Sequence, residues 1–115
     1  MKFSSALKLN HIFRRLYATA GQANGLMVLY AKKNRLDKNR VGITVSKKLG
    51  GAVVRNRVRR RLREVYRLNE DRFLPGYDIV VVARSRAVDA TFQDLCAAYM
   101  SAAEKISILR PEEPV

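Results

Sequence analysis

Residues 41–68 read VGITVSKKLGGAVVRNRVRRRLREVYRL, and this stretch decides the fold. Its first part places an apolar residue at every second position over residues 41–45, which is the period of a half-buried β-strand. The glycine pair Gly50-Gly51 then marks a turn. Over residues 52–68 the apolar residues recur at helical spacing instead. The stretch therefore predicts a strand that leads directly into a long amphipathic helix.

The helix predicted over residues 52–68 has two chemically different sides. At 100° per residue its apolar stripe consists of Val54, Val58, Leu62 and Val65. The opposite side carries a ridge of Asn56, Arg60, Arg63 and Arg67 with Arg59 beside it, and the flanks carry Arg55, Arg57 and Arg61. Like charges four residues apart repel, and Glu64 is the only acid here, so the arginines do not serve helix stability. They predict a partner whose phosphates accept forked hydrogen bonds.

The composition points to the same kind of partner. The 115 residues, the size of one domain, include 23 Lys and Arg against 10 Asp and Glu, giving a net charge of +13. Residues 1–67 hold 18 basic and 2 acidic residues, whereas residues 68–115 hold 5 basic and 8 acidic ones. A polyanion is therefore expected to meet the first part of the sequence, and the last third is expected to be scaffold.

Several other classes of protein do not fit the sequence. The lone Cys96 allows neither an internal disulfide nor a thiolate metal cluster, and we expect it to pack on a helix as a small apolar residue. No apolar run is long enough to span a membrane, and the N-terminus lacks the apolar stretch of a signal peptide. We expect a cytoplasmic protein. His11, the only histidine, has no visible catalytic partner, so we predict no catalytic residue and no metal ligand in the chain.

The remaining segments complete a small α+β domain, an α/β two-layer sandwich. Helices are predicted over residues 10–18 and 91–107, and strands over residues 26–31 and 79–83. The order is α-β-β-α-β-α, with three to four strands in a mixed sheet and one extra short strand allowed. We expect residues 1–110 to form a single domain that binds the polyanion and residues 111–115 a loose tail.

The decisive stretch resembles the bacterial ribonuclease P protein component. That family carries a strand ending in Ser-Lys-Lys or similar, a short Gly-containing turn, and a helix that opens with Arg-Asn-Arg. Here these features are Ser46-Lys47-Lys48, Gly50-Gly51 and Arg55-Asn56-Arg57. The resemblance extends over about residues 7–105, because the N-terminal aromatic helix, Leu29-Tyr30 and the run YDIVVVAR at residues 77–84 occur in the family order.

The resemblance implies both a fold and a function. The strand–helix–strand crossover would be left-handed, against the usual right-handed rule. The protein would be the small subunit of a ribonucleoprotein that removes the 5′ leader from precursor tRNA, with one protein per RNA. Its partners would be ribonuclease P RNA and precursor tRNA. Catalysis would reside in the RNA with Mg²⁺ held mainly by that RNA, and the protein alone would bind no cofactor.

The resemblance also assigns roles to individual residues. The helix positions that would contact the catalytic RNA are Arg55, Asn56, Arg57, Arg59, Arg60 and Arg63. The sequence pattern adds Arg67, on the same ridge, and Lys47 and Lys48, just before the helix. Phe13, Tyr17 and Tyr30 match positions that line a cleft for the single-stranded leader, although these aromatics could instead be core residues. Arg61 stands where an apolar residue is common, and its stem can still pack.

Two rival functions remain open from the sequence alone. A purely structural RNA-binding protein, such as a ribosomal protein, would have the same charge and size. A double-stranded DNA-binding protein would use the arginine helix for base recognition. Such a helix usually carries Asn, Gln, Ser and Thr among its arginines, and this one offers only Asn56.

Overall fold

The structure, a computed structural model, describes residues 4–6, 10–17, 19 and 21–111, with side chains described from residue 14 onward. The helices in this part of the chain are α1 (Asn10–Tyr17), α2 (Ala52–Asn69) and α3 (Phe92–Lys105). Its strands are β1 (Ser4–Ala6), β2 (Gln22–Ala23), β3 (Met27–Lys33), β4 (Asn39–Thr44) and β5 (Tyr77–Ala83). The predicted α+β class is confirmed, and the predicted order of the longer elements is correct.

The strands form one mixed sheet in the order β1-β4-β5-β3-β2. The central strand β5 runs parallel to β4 and antiparallel to β3. Ile79, Val80 and Val81 are all fully buried, as expected of an apolar run that is covered on both faces. Since β4 and β5 are parallel, α2 connects them as a crossover. The left hand of that crossover stays a prediction from the resemblance.

The sheet contains two short edge strands, so it has five strands among the described residues instead of the predicted three to four. β1 pairs with β4, and β2 pairs with β3. Neither strand is long enough to show a period-2 pattern, so residue spacing could not predict them beyond the one extra short strand that was allowed. Their pairing covers the outer edges of β4 and β3, which would otherwise expose unpaired backbone groups.

β4 begins and ends earlier than the alternating pattern predicts. It starts at Asn39, whose buried side chain accepts a hydrogen bond from the Tyr77 backbone N–H (2.8 Å) and donates to the Leu74 carbonyl (3.0 Å). These bonds tie the start of β4 to the start of β5. Val45 lies beyond the last ladder pair but remains buried. Apolar alternation reports burial, whereas hydrogen bonds set the end of a strand.

The helices cover the two faces of the sheet unequally. On the α2/α3 face, alternate strand residues such as Leu29, Val41 and Val81 pack against α2 and α3 in the main core. On the α1 face, Leu16 packs with Val80. The inward side of α3 consists of residues that are all buried or half-buried: Phe92, Leu95, Cys96, Tyr99, Ala102, Ala103 and Ile106.

The C-terminal segment is held to the body of the domain as far as residue 110. Ile108 is buried, and its carbonyl accepts a hydrogen bond from the Leu74 N–H (2.9 Å). The Arg110 N–H donates to the Arg72 carbonyl (2.7 Å). Residues 112–115, most of the predicted loose tail, lie outside the described residues.

Candidate RNA-binding surfaces

A tight turn sets the start of α2 and presents two lysines. Lys47–Leu49 forms one turn of 3₁₀-helix, and Lys47 and Lys48 are both exposed on it. Gly50 follows with φ of 144°, and a Cβ there would lie 3.1 Å from the side chain of Val54. Only glycine fits this position without strain. Gly51 caps the helix without a side-chain hydrogen bond, so the first backbone N–H groups of α2 are free of a side-chain cap.

The two sides of α2 are arranged as the sequence predicts. Val58, Leu62 and Val65 are buried, and Val54 is half-buried beside them. The predicted binding residues lie on the other side or on the flanks. Asn56, Arg57, Arg60, Arg63 and Arg67 are exposed, while Arg55, Arg59 and Arg61 are half-buried. Arg61 is half-buried, which agrees with packing of its aliphatic carbons at a position where an apolar residue is common.

Four of the predicted residues meet in one groove, which we call the arginine groove. It has a volume of about 480 Å³ and is lined by Val53, Asn56, Arg59, Arg60 and Arg63. Arg59 Nη1 donates to Asn56 Oδ1 (3.0 Å), which holds one guanidinium in place before a ligand arrives. Val53 is 83% exposed and was not predicted as a site residue. An apolar side chain between guanidinium groups suits contact with a base or a ribose as well as a phosphate.

Arg67 differs from the rest of the ridge because it has a local acid partner. Its Nε donates to Glu64 Oε2 (2.8 Å), and its Nη2 binds the other carboxylate oxygen. The hydrogen bonds that Arg67 donates keep the pKa of Glu64 below its usual value, and the same bonds raise the pKa of Arg67. Both side chains are exposed, so the pair is weakly held. Glu64 therefore competes with any RNA phosphate for Arg67.

A second candidate surface lies on the α1 face of the sheet. The rings of Tyr17 and Tyr30 meet edge to face, with centroids 5.2 Å apart and an interplanar angle of 76°. Tyr17 is 43% exposed and Tyr30 is half-buried. Tyr17 is thus not a core residue, and Tyr30 packs only at the margin of the Leu16–Val80 cluster. We call these two residues the tyrosine pair. The side chain of Phe13 lies outside the described residues.

Two neighbours fix the tyrosine pair. The Tyr17 hydroxyl lies 3.3 Å from Thr44 Oγ1. A Cβ on Gly21 would lie 2.6 Å from the Tyr30 ring, so only glycine allows this approach. Thr44 was not predicted as a site residue. Its alternation with Val45 places it on the polar side of the strand, which is the signal that could have found it.

The described residues contain no group of His, Cys, Asp and Glu that could hold a metal ion. Among them, no helix combines the length and apolar character needed to cross a bilayer. Cys96 is half-buried and accepts a hydrogen bond from Asn69 Nδ2 (3.5 Å), in keeping with the packing role expected for it.

The fold and these two surfaces define a small nucleic-acid-binding α+β protein. The family model described as Ribonuclease P matches residues 1–107. The ribonuclease P protein component of Alkaliphilus oremlandii is 41% identical over 110 residues, covering 95% of this chain and 96% of that protein. The one from Clostridioides difficile is 49% identical over 94 residues, covering 80% and 82%.

Solved structures give the same result. The Staphylococcus aureus RNase P protein superimposes with a TM-score of 0.83 at 34% identity, covering 91% of this chain and 97% of that one. The chain therefore belongs to the ribonuclease P protein family. Its arginine helix, its charge and its family together make it an RNA-binding protein of tRNA processing.

Proposed function

We propose that this protein binds ribonuclease P RNA through α2 and the 5′ leader of precursor tRNA through the α1 face. It thereby assists the endonucleolytic cut that gives the mature tRNA 5′ end. Membership of the family makes the protein a subunit of ribonuclease P with ribonuclease P RNA as its partner. The leader as a ligand, and one protein per RNA, are the finer parts of the proposal, as is a cytoplasmic location.

The observation that carries the proposal is the separation of two unlike surfaces. The arginine groove offers guanidinium groups that suit the folded backbone of an RNA. The tyrosine pair offers ring surface next to basic strand residues, which suits the bases of a single strand. Because the pair is on the face of the sheet opposite α2, one protein can hold both RNAs at once.

We also propose that the cleavage chemistry belongs to the RNA, with Mg²⁺ held mainly there. The lining of the arginine groove supports this assignment. Its one side-chain oxygen, Asn56 Oδ1, already accepts from Arg59, and the guanidinium groups around it repel a divalent cation, so the groove does not fit a bound Mg²⁺. The protein's part is then to bind and orient RNA, and to lower the repulsion between two polyanions.

Reconstitution with a bacterial ribonuclease P RNA at low Mg²⁺ tests the proposed function. Addition of the protein should raise the rate of correct 5′ processing of precursor tRNA, and mass measurement of the complex should give one protein per RNA. A protein that binds the RNA without raising that rate would be a purely structural RNA-binding protein. Precursor tRNA and mature tRNA should also be bound with different affinity, in favour of the precursor.

A further inference from the structure

A second groove lies on the other side of the arginine ridge, between α2 and the start of α3. It has a volume of about 330 Å³ and is lined by Arg57, Arg60, Arg61, Glu64 and Phe92, and we call it the α2/α3 groove. Arg60 also lines the arginine groove, so the two grooves share this side chain. The surface predicted to contact RNA therefore continues past the ridge toward α3.

The α2 side of this groove is positively charged. Arg57, Arg61 and Glu64 are spaced four and three residues apart, so they form one row on the helix, roughly 10 Å long at 1.5 Å per residue. Glu64 is the one acid in the lining, and Arg67 binds both of its carboxylate oxygens. Within the described residues, no carboxylate pairs with Arg57, Arg60 or Arg61. Three guanidinium groups are therefore available to an anionic ligand.

The α3 side of the groove is a single aromatic residue. Phe92 is half-buried, because part of its side chain packs against the main core while the rest lines the groove. The backbone beneath it is fixed, since Thr91 caps α3 by accepting a hydrogen bond from the Asp94 N–H (3.0 Å). The groove thus has cations on one wall and a fixed aromatic residue on the other.

The composition of α3 indicates which part of an RNA meets Phe92. The helix contains one basic residue, Lys105, in its last turn, and Asp94 lies two residues after Phe92. A phosphate beside the start of α3 would therefore meet no cation from this helix, whereas an aromatic ring can stack against any base. A nucleotide whose phosphates lie on α2 and whose base points toward α3 satisfies both walls.

Arg61 gives the groove a second flat surface for a base. Its half-buried aliphatic carbons pack beside the helix, while its side chain lines the groove together with Phe92. A planar guanidinium group and an aromatic ring are both stacking surfaces for bases. Because these two surfaces come from different helices and line one groove, a single base can contact both.

We propose that the α2/α3 groove binds one unpaired base of ribonuclease P RNA, stacked against Phe92 and Arg61. Arg57 and Arg60 bind the phosphates on either side of that base. The proposal rests on the proposed function, because it takes α2 as the surface that binds this RNA. It extends the interface from one helix to two, and it adds a stacking contact that does not depend on salt.

The test is a titration of ribonuclease P RNA with the full-length protein at several salt concentrations. Phe92→Leu keeps an apolar side chain but removes the ring, so it should weaken binding about fivefold or more and leave the salt slope unchanged. Phe92→Tyr keeps the ring and should bind as the unsubstituted protein does. Arg61→Lys keeps the charge but loses the planar group, and it should also weaken binding. Met100→Ala truncates another half-buried residue of α3 outside the groove, and this control should bind normally.

Two further measurements separate the outcomes. In base-specific chemical probing of the complex, Phe92→Leu should expose one unpaired base and leave the other protections in place. Phe92→Leu combined with Arg61→Lys should lose less affinity than the product of the two single losses, because both residues contact one base. Equal affinities for Phe92→Leu and Phe92→Tyr, an unchanged probing pattern, or independent losses overturn the base site.

Failure of the proposed function has a different signature. Unchanged binding after Arg60→Ala with Arg63→Ala would overturn the role of α2 itself, whatever the result at Phe92. A loss for Phe92→Leu that is confined to precursor tRNA would overturn ribonuclease P RNA as the ligand of the groove. Arg61→Lys, which changes no apolar residue, serves alone in both measurements if Phe92→Leu does not fold.

Discussion

The two faces of the sheet are made from alternate residues of the same strands, yet they differ in kind. On the α2/α3 face, Ile79 and Val81 enter a dry core with large apolar residues from both helices. On the α1 face, Val80 meets Leu16, and beyond them lie the tyrosine pair and a cavity lined by Arg15, Lys32 and Arg40. The α2/α3 face therefore supplies most of the stability, which leaves the α1 face free to carry polar and aromatic binding groups.

A substitution in the apolar core between the sheet and α2 should have the largest effect on the free energy of unfolding. Leu62→Ala on α2 removes a fully buried side chain and should lower the free energy of unfolding by about 2–5 kcal/mol. Its neighbour Arg63→Ala changes an exposed residue and should stay within about 0.5 kcal/mol. Urea denaturation of both variants measures the difference. Equal losses of stability would mean that α2 is not divided into a packed side and a solvated side.

Three tyrosines test the same contrast at a smaller scale. The Tyr66 hydroxyl is buried and accepts from Asn39 Nδ2 (3.1 Å), so Tyr66→Phe should cost about 1 kcal/mol. The Tyr99 hydroxyl is buried with no hydrogen-bond partner among the described residues, and burial raises the pKa of Tyr99 far above its usual value. Tyr99→Phe should therefore be neutral or stabilising by about 1 kcal/mol.

Tyr17→Phe on the α1 face is the reference for these two changes. Its bond to Thr44 is exposed to water, so the unfolding free energy should change by less than about 0.5 kcal/mol. Thermal or urea unfolding of the three variants ranks their changes in unfolding free energy. A loss for Tyr99→Phe as large as that for Tyr66→Phe would show that the Tyr99 hydroxyl is bonded after all, for instance to a buried water.

The smallest effect is expected at Glu64, at the edge of the arginine ridge. Glu64→Gln releases Arg67 and should raise affinity for ribonuclease P RNA by less than about fivefold. Glu104→Gln on α3, which changes the net charge equally, should leave that affinity unchanged. A filter-binding or fluorescence titration at neutral pH is sufficient. Weaker binding by Glu64→Gln would mean that the ion pair positions Arg67 for the RNA.

The Glu64–Arg67 ion pair makes the stability of the fold decrease as the pH falls. Because the pKa of Glu64 is lowered in the folded protein, the pair stabilises the fold at pH values above the unfolded pKa of glutamate. That contribution is lost as the pH falls through the lowered pKa. Near neutral pH the carboxylate is charged, so the competition for Arg67 is fully present there.

The sequence predicted the arginine helix well because one period governs both its packing and its charge. The apolar stripe, the ridge and the buried run of β5 all follow from residue spacing. Asn39 could not be predicted to begin a strand, because its partners are 35 and 38 residues away. The cavity next to α1 was missed for the same reason. Arg15, Lys32 and Arg40 are separate in sequence, and only the fold brings them together.

The most direct test of the account compares the two surfaces in the reconstituted holoenzyme at saturating protein. The measured quantity is the affinity for precursor tRNA divided by that for mature tRNA. Tyr30→Ala should lower this ratio, since stacking contributes roughly 1–3 kcal/mol per base, whereas Arg60→Ala with Arg63→Ala should weaken assembly with the RNA and leave the ratio unchanged. An equal fall in the ratio for both variants would contradict the separation of the two surfaces.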